Sequence, residues 1–160
     1  LTENFWYAAA VPALAILSII DWRTYEIPLG CNIWIGLMGT GNLITECIYG
    51  NKGNVFGLLA GAVLVSGFLK LIFLLSKGQA MGGGDVKLTA AAGLLLGWKG
   101  ILWAFILGCM AGSVIHLFLM VCKKKDHMLA FGPYLTFGIC VSMIWQDELT
   151  SWYFHWLNIG

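Results

Sequence analysis

Apolar residues run through this chain in blocks of about twenty, separated by short stretches that collect nearly all of its charged side chains. Blocks of that length can cross a hydrocarbon core of ~30 Å as helices rising ~1.5 Å per residue. They predict membrane-spanning helices at about 4–20, 30–49, 55–76, 86–98, 101–122 and 130–146. The fourth, VKLTAAAGLLLGW, is short for a full crossing. No internal repeat, low-complexity tract or linker interrupts the pattern, so the expectation is one all-α, polytopic membrane domain over 1–160 with about six transmembrane helices. The first span has no Lys or Arg before it, contains Pro12 and leads straight into DWRTYEIP, which argues against a cleaved signal peptide.

Composition sharpens this. Hydrophobic residues make up 59% of the chain and charged residues 11%, against roughly 45–50% and 25% in an average soluble domain. Almost no chain is left over for a soluble domain, and the bilayer is the expected surrounding. A net charge of +1 with no basic face offers nothing to nucleic acid. The closing DELTSWYFHWLNIG is rich in Trp and Tyr and is expected at a membrane interface.

The nine Lys and Arg residues predict orientation. Arg23, Lys70, Lys77, Lys87, Lys123, Lys124 and Lys125 fall on the side of the first, third and fifth loops, and only Lys52 and Lys99 on the other. Cytoplasmic loops retain the excess of basic residues, so the odd-numbered loops are expected inside a cytoplasmic membrane and both termini outside. Lys70 is expected to snorkel to the inner interface. The cluster KKKD at 123–126 reads as a topology signal, though basic clusters also attract anionic headgroups.

Asp21 and Asp85 then share the cytoplasmic side, although catalysis played no part in the count. Each has a plain structural explanation: Asp21 as a solvated helix end, Asp85 as an N-terminal cap. The three glycines of GGGD, residues 82–85, fit a cap poorly because they raise the entropic cost of ordering the loop. Without Cβ atoms they allow another backbone or a peptide to lie beside Asp85. Ionisable groups at membrane depth are costly and usually face the bundle interior, which makes both aspartates functional candidates.

Two carboxylates that approach closely cannot both ionise at neutral pH and hold one proton between them. One is then a base that removes a proton from attacking water, and the other an acid that protonates the developing oxyanion and assists amine departure. That is peptide hydrolysis without a covalent intermediate. Other chemistries lack support. The cysteines at 31, 47, 109, 122 and 140 form no C-x-x-C, and the histidines at 116, 127 and 155 have no ligand spacing, so neither metal nor cofactor is expected. The cysteines read as small packing residues, and His116 as a hydrogen-bonded residue of the bundle. No G-x-S-x-G supports a serine nucleophile.

DWRTYEIP at 21–28, GGGDVKL at 82–88 and FGPYL at 131–135 resemble, in order, spacing and span position, the three motifs of the type IV prepilin peptidases, membrane aspartyl proteases of the G-x-G-D class. The resemblance implies that Asp21 and Asp85 are the catalytic pair. It places Pro28, Gly82, Gly84, Lys87, Phe131, Gly132 and Pro133 in the motifs near the substrate. It gives Arg23 and Glu26 no catalytic role. The implied substrates are prepilins or pseudopilins, with a short basic leader ending at Gly and a hydrophobic helix after it. Larger relatives carry a cytoplasmic region with paired C-x-x-C motifs that methylates the new N-terminus; with only about twenty residues before Asp21, that methyltransferase and zinc module is expected to be absent. The chain is similar to short, peptidase-only forms, including those serving tight-adherence or competence pili, and also to archaeal preflagellin peptidases. Two further readings compete. A small proton- or cation-coupled transporter would use the aspartates as ion sites in broken helices, but related halves are not found. A presenilin-type protease would show Tyr-Asp and Pro-Ala-Leu motifs, and neither is present. The particular prepilin and the oligomeric state are not legible.

Overall fold

The computed structural model describes residues 2–24, 26–77, 82–121 and 131–156. Five helices account for nearly all of them: α1 (Thr2–Thr24), α2 (Leu29–Ile48), α3 (Lys52–Leu75), α4 (Gly83–Val121) and α5 (Gly132–Trp156). The basic cluster at 123–126, Cys122 and His127 lie outside the described residues.

The fourth and fifth expected spans form one helical run, α4, divided at Gly97, whose φ of 75° and ψ of 179° are not helical. That backbone region is essentially reserved for glycine, because a Cβ would clash there. The chain reverses at this break. Before it, Gly84 packs on Ile27, Ala91 on Gly36 and Gly39, and the Leu95 carbonyl meets Asn42, so this half runs parallel to α2. After it, Gly100 meets Ser142 and Gln146, Ala104 meets Gly138, and Gly108 and Gly112 meet Tyr134, so the second half runs antiparallel to α5. The break exposes helix-end carbonyls that need donors. Asn42 Nδ2 donates to one of these, the Leu95 carbonyl, at 3.0 Å, and beyond the break Ser142 Oγ donates to the Gly100 carbonyl at 2.6 Å, tying the second half to α5.

Among the described residues, three helical stretches are long and apolar enough to cross a membrane, Phe5–Thr24, Lys52–Leu75 and Gly83–Phe118. In α2 and α5, polar residues such as Asn32, Asn42, Glu46, Gln146, Asp147 and Glu148 dilute the hydropathy. α2 is amphipathic in the inverse sense: Asn32, Gly39, Asn42 and Glu46 are buried, while Ile33, Trp34, Leu37 and Ile44 are exposed. Phe56, Val63, Leu75 and Ile144 also face outward, each at least 70% exposed. A water-soluble protein rarely leaves so much contiguous apolar surface uncovered, whereas lipid tails solvate it without cost.

Leu14, Leu17, Ile35, Leu69, Leu88, Leu95, Leu135 and Ile139 fill the interior. Because lipid is as apolar as leucine, burial alone does little to hold helices together in a bilayer, and close approach has to contribute more. The α3–α4 seam shows this: a Cβ on Gly61 would overlap the Gly97 backbone, and one on Gly93 the Gly61 carbonyl. At the α2–α3 turn, Gly50 sits at a φ of 73°, its N–H bonding to Cys47 O and that of Asn51 to Glu46 O, a Schellman closure that only a left-handed residue permits.

Two expectations need correction. His116 is exposed on the outward face of α4 rather than hydrogen-bonded in the bundle, because residues 113–118 all lie beyond its packed part. The last helix continues past 146 to Trp156. There Trp103 Nε1 donates to Thr150 Oγ1 at 3.1 Å and packs edge-on against Tyr153, which holds the polar end against α4. Cys31, Cys47, Cys109 and Cys140 are free thiols.

Candidate active site

Four chain segments meet at one end of the bundle: the last turn of α1, the extended link before α2, the start of α4 and the start of α5. Each is shaped by its sequence. Pro28 caps α2 in an extended conformation (φ −64°, ψ 129°), ending the chain's excursion from α1. Pro133 sits in the first turn of α5, where a missing N–H costs nothing. Gly84 lets the start of α4 lie directly on Ile27, since a Cβ there would stand 2.9 Å from the Ile27 Cβ.

Asp21 projects from α1 and Asp85 from the first turn of α4, 3% and 7% exposed. The carboxylates are close enough to interact electrostatically. The Gly132 backbone amide faces the Asp21 carboxylate, and Gly132 is packed so closely that a Cβ would overlap it. Gly82 lies beside Asp85 Oδ2. Asp21 Oδ2 and Asp85 Oδ1 are buried and have no hydrogen-bond partner among the described residues. A helix end solvated in water or a cap bonded to free N–H groups would not leave those oxygens idle. Thr89 Oγ1 bonds back to the Asp85 and Val86 carbonyls at 2.9 Å each, supporting the turn that carries Asp85.

Of the residues singled out in the sequence, Asp21, Pro28, Gly82, Gly84, Asp85 and Gly132 are brought together. Phe131 and Pro133 are half-buried beside them, and Phe131 packs against the core. Lys87 is exposed, as are Arg23 and Glu26. Two buried polar residues at this end escaped the sequence reading: Asn32 in the first turn of α2 and Thr136 one turn into α5, each 6% exposed, with Asn32 Oδ1 and Thr136 Oγ1 unpartnered. Their signal was a polar side chain within an apolar span.

A polar cavity of about 450 Å³ opens at the opposite end, around Gly97, and is bordered by Tyr7, Asn42, Glu46, Lys99, Gln146 and Asp147. Neither Asp21 nor Asp85 borders it. The paired, unpartnered carboxylates make the other end the better candidate, because hydrolysis needs an acid and a base in reach of one another.

The model of the type IV leader peptidase family matches residues 8–117. Among curated proteins, the chain is similar to the prepilin leader peptidase/N-methyltransferase of Legionella pneumophila, 31% identical over 136 residues, which cover 78% of this chain and 44% of the relative. The protein of the same name from Xanthomonas campestris pv. campestris is 30% identical over 152 residues, 91% of this chain and 52% of the relative. That from Pectobacterium carotovorum subsp. carotovorum is 34% identical over 137 residues, 82% and 48%. The chain thus spans about half the length of these relatives. No solved structure matches it. The family match begins inside α1 and runs through both aspartates and the glycine loop, the same elements that build the carboxylate pair, and the chain belongs to the type IV leader peptidase family.

Proposed function

We propose that this protein is an aspartyl endopeptidase that removes the short basic leader from prepilins or pseudopilins, with Asp21 and Asp85 as its catalytic pair. The observation that carries the reading is the pair itself, two buried carboxylates from different helices, each with an oxygen that has no hydrogen-bond partner among the described residues. Two adjacent anions in so dry a place would be strongly unfavourable, so the pair holds one proton. Water lodged between the carboxylates attacks the scissile carbonyl carbon. Its proton passes to the ionised carboxylate while the protonated one gives its proton to the carbonyl oxygen. When the tetrahedral gem-diol collapses, the C–N bond breaks, the carboxyl that took the water's proton returns it to the amine, and the other carboxylate takes a proton back from a gem-diol hydroxyl, leaving a carboxylic acid product and a singly protonated pair. No acyl-enzyme forms.

The break at Gly97 supports six membrane crossings, with α4 contributing two. Arg23, Lys77 and Lys87 fall at the carboxylate end and Lys52 and Lys99 at the other, which favours an active site on the cytoplasmic face of a multi-pass protein in the cytoplasmic membrane. A substrate with a basic leader in the cytoplasm and a hydrophobic helix in the bilayer presents its junction at that depth. The test is direct: purified protein in detergent should shorten a prepilin peptide at the leader junction, and an intact peptide after prolonged incubation would reject the proposal. Detergent also removes any ion gradient, so cleavage there separates a protease from a transporter.

A further inference from the structure

Two buried asparagines of α2 are used differently. Asn42 borders the polar cavity and, although its Oδ1 too lacks a hydrogen-bond partner among the described residues, its Nδ2 donates firmly to the Leu95 carbonyl at the helix break. Asn32 has no comparable bond. Its Nδ2 reaches the Gly84 carbonyl only at 3.5 Å, the limit of a hydrogen bond, and its Oδ1 has no partner among the described residues. The orientation follows from chemistry, since only the amide nitrogen can face a carbonyl. A leucine would fill this interior position without desolvating a polar group, so the amide burdens the folded state unless something else uses it.

What could use it is narrowed by its neighbours. Gly84 immediately precedes Asp85, so Asn32 stands against the turn that carries Asp85. Unpartnered acceptors dominate this end: Asp21 Oδ2, Asp85 Oδ1 and Asn32 Oδ1. An extended peptide brings one N–H donor per residue. We infer that Asn32 is a substrate-positioning residue whose Oδ1 accepts a backbone N–H from a peptide unit flanking the scissile bond, while its Nδ2 draws on the Gly84 carbonyl and so sets the bound strand in register with Asp85. The inference rests on the peptidase reading above.

The test uses the full chain in detergent and leader peptides in which one amide flanking the scissile bond is replaced by an ester, which removes a single N–H. At one flanking position the ester should lower kcat/KM of the wild-type protein about tenfold, the loss of one hydrogen bond. Asn32→Leu should lose a similar factor on the all-amide peptide and show no further ester penalty at that position. Its thermal midpoint should not fall, which a purely structural amide would not allow, and Asn32→Ala should repeat the kinetic result. Four outcomes overturn the inference alone: no ester position matters, the ester penalty persists in Asn32→Leu, Asn32→Leu cleaves like wild type, or its midpoint drops. Wild-type protein that leaves every peptide intact overturns the peptidase reading instead.

Discussion

Gly132→Ala tests the site through one added methyl group. The new Cβ would stand 2.9 Å from Asp21 Cγ and 3.3 Å from Asp21 Cβ. Carbon atoms in comfortable contact are ~3.5–4.0 Å apart, so the carboxylate has to retreat by at least about 0.6 Å. It also has to leave the Gly132 amide it faces. A displacement of ~1 Å in a reacting group costs on the order of 100-fold in rate, about 2.7 kcal/mol of transition-state stabilisation. The helix itself should survive, because alanine is a better helix former than glycine by up to ~1 kcal/mol. Gly112→Ala is the matched control on α4: its Cβ would meet Tyr134 Cδ2 at 3.5 Å, an ordinary contact. The assay is leader-peptide cleavage in detergent with thermal unfolding of each variant alongside. If folded Gly132→Ala cleaves within about threefold of Gly112→Ala, the Asp21 carboxylate is not acting in the chemistry from this position.

Asp21→Asn and Asp85→Asn should each abolish cleavage while the protein stays folded, and the double variant should be scarcely slower than either, because the pair acts as a unit; Glu26→Gln, an exposed carboxylate on the same link, should cleave normally. Appreciable turnover by either single asparagine variant would return that aspartate to a structural role. On a background without native cysteines, Lys52→Cys should react with a membrane-impermeant thiol reagent on intact cells and Lys77→Cys only after lysis, and the reverse pattern would invert the assigned sidedness. Gly97→Ala should lower the unfolding midpoint through backbone strain worth ~1–3 kcal/mol, since its Cβ would meet nothing nearer than 3.6 Å; exposed Gly67→Ala, with nothing within 4 Å, should be neutral.

Much of this arrangement was legible in the sequence because the bilayer enforces long helices and leaves few alternatives. The stretches expected at 30–49 and 55–76 correspond closely to α2 and α3. The turn between the fourth and fifth stretches was also marked, but hydropathy could not show that it is a reversal at one glycine, since Gly97 adds nothing polar to an apolar run. The end of α5 was misjudged because DELTSWYFHW loses the apolar signal while its Trp103, Thr150 and Tyr153 contacts sustain the helix. At the site, acidic residues were easy to single out in so apolar a chain. Asn32 was not, because one asparagine at the start of a helix also reads as an end signal, and only packing reveals that its amide is enclosed and underused.

The first half of α4, from Gly83 to Leu96, is 14 residues and so only about 21 Å long. A hydrocarbon core of ~30 Å is not matched by that length, and between Gly83 and Leu96 only Lys87 is exposed, so neighbouring helices surround this half. A helix enclosed in this way need not span a bilayer, because its surroundings are protein rather than acyl chains. The shortness of this half-helix is thus tolerated by enclosure, and any change in its length would have to be fitted inside the bundle, against α2 and α3, rather than absorbed by lipid.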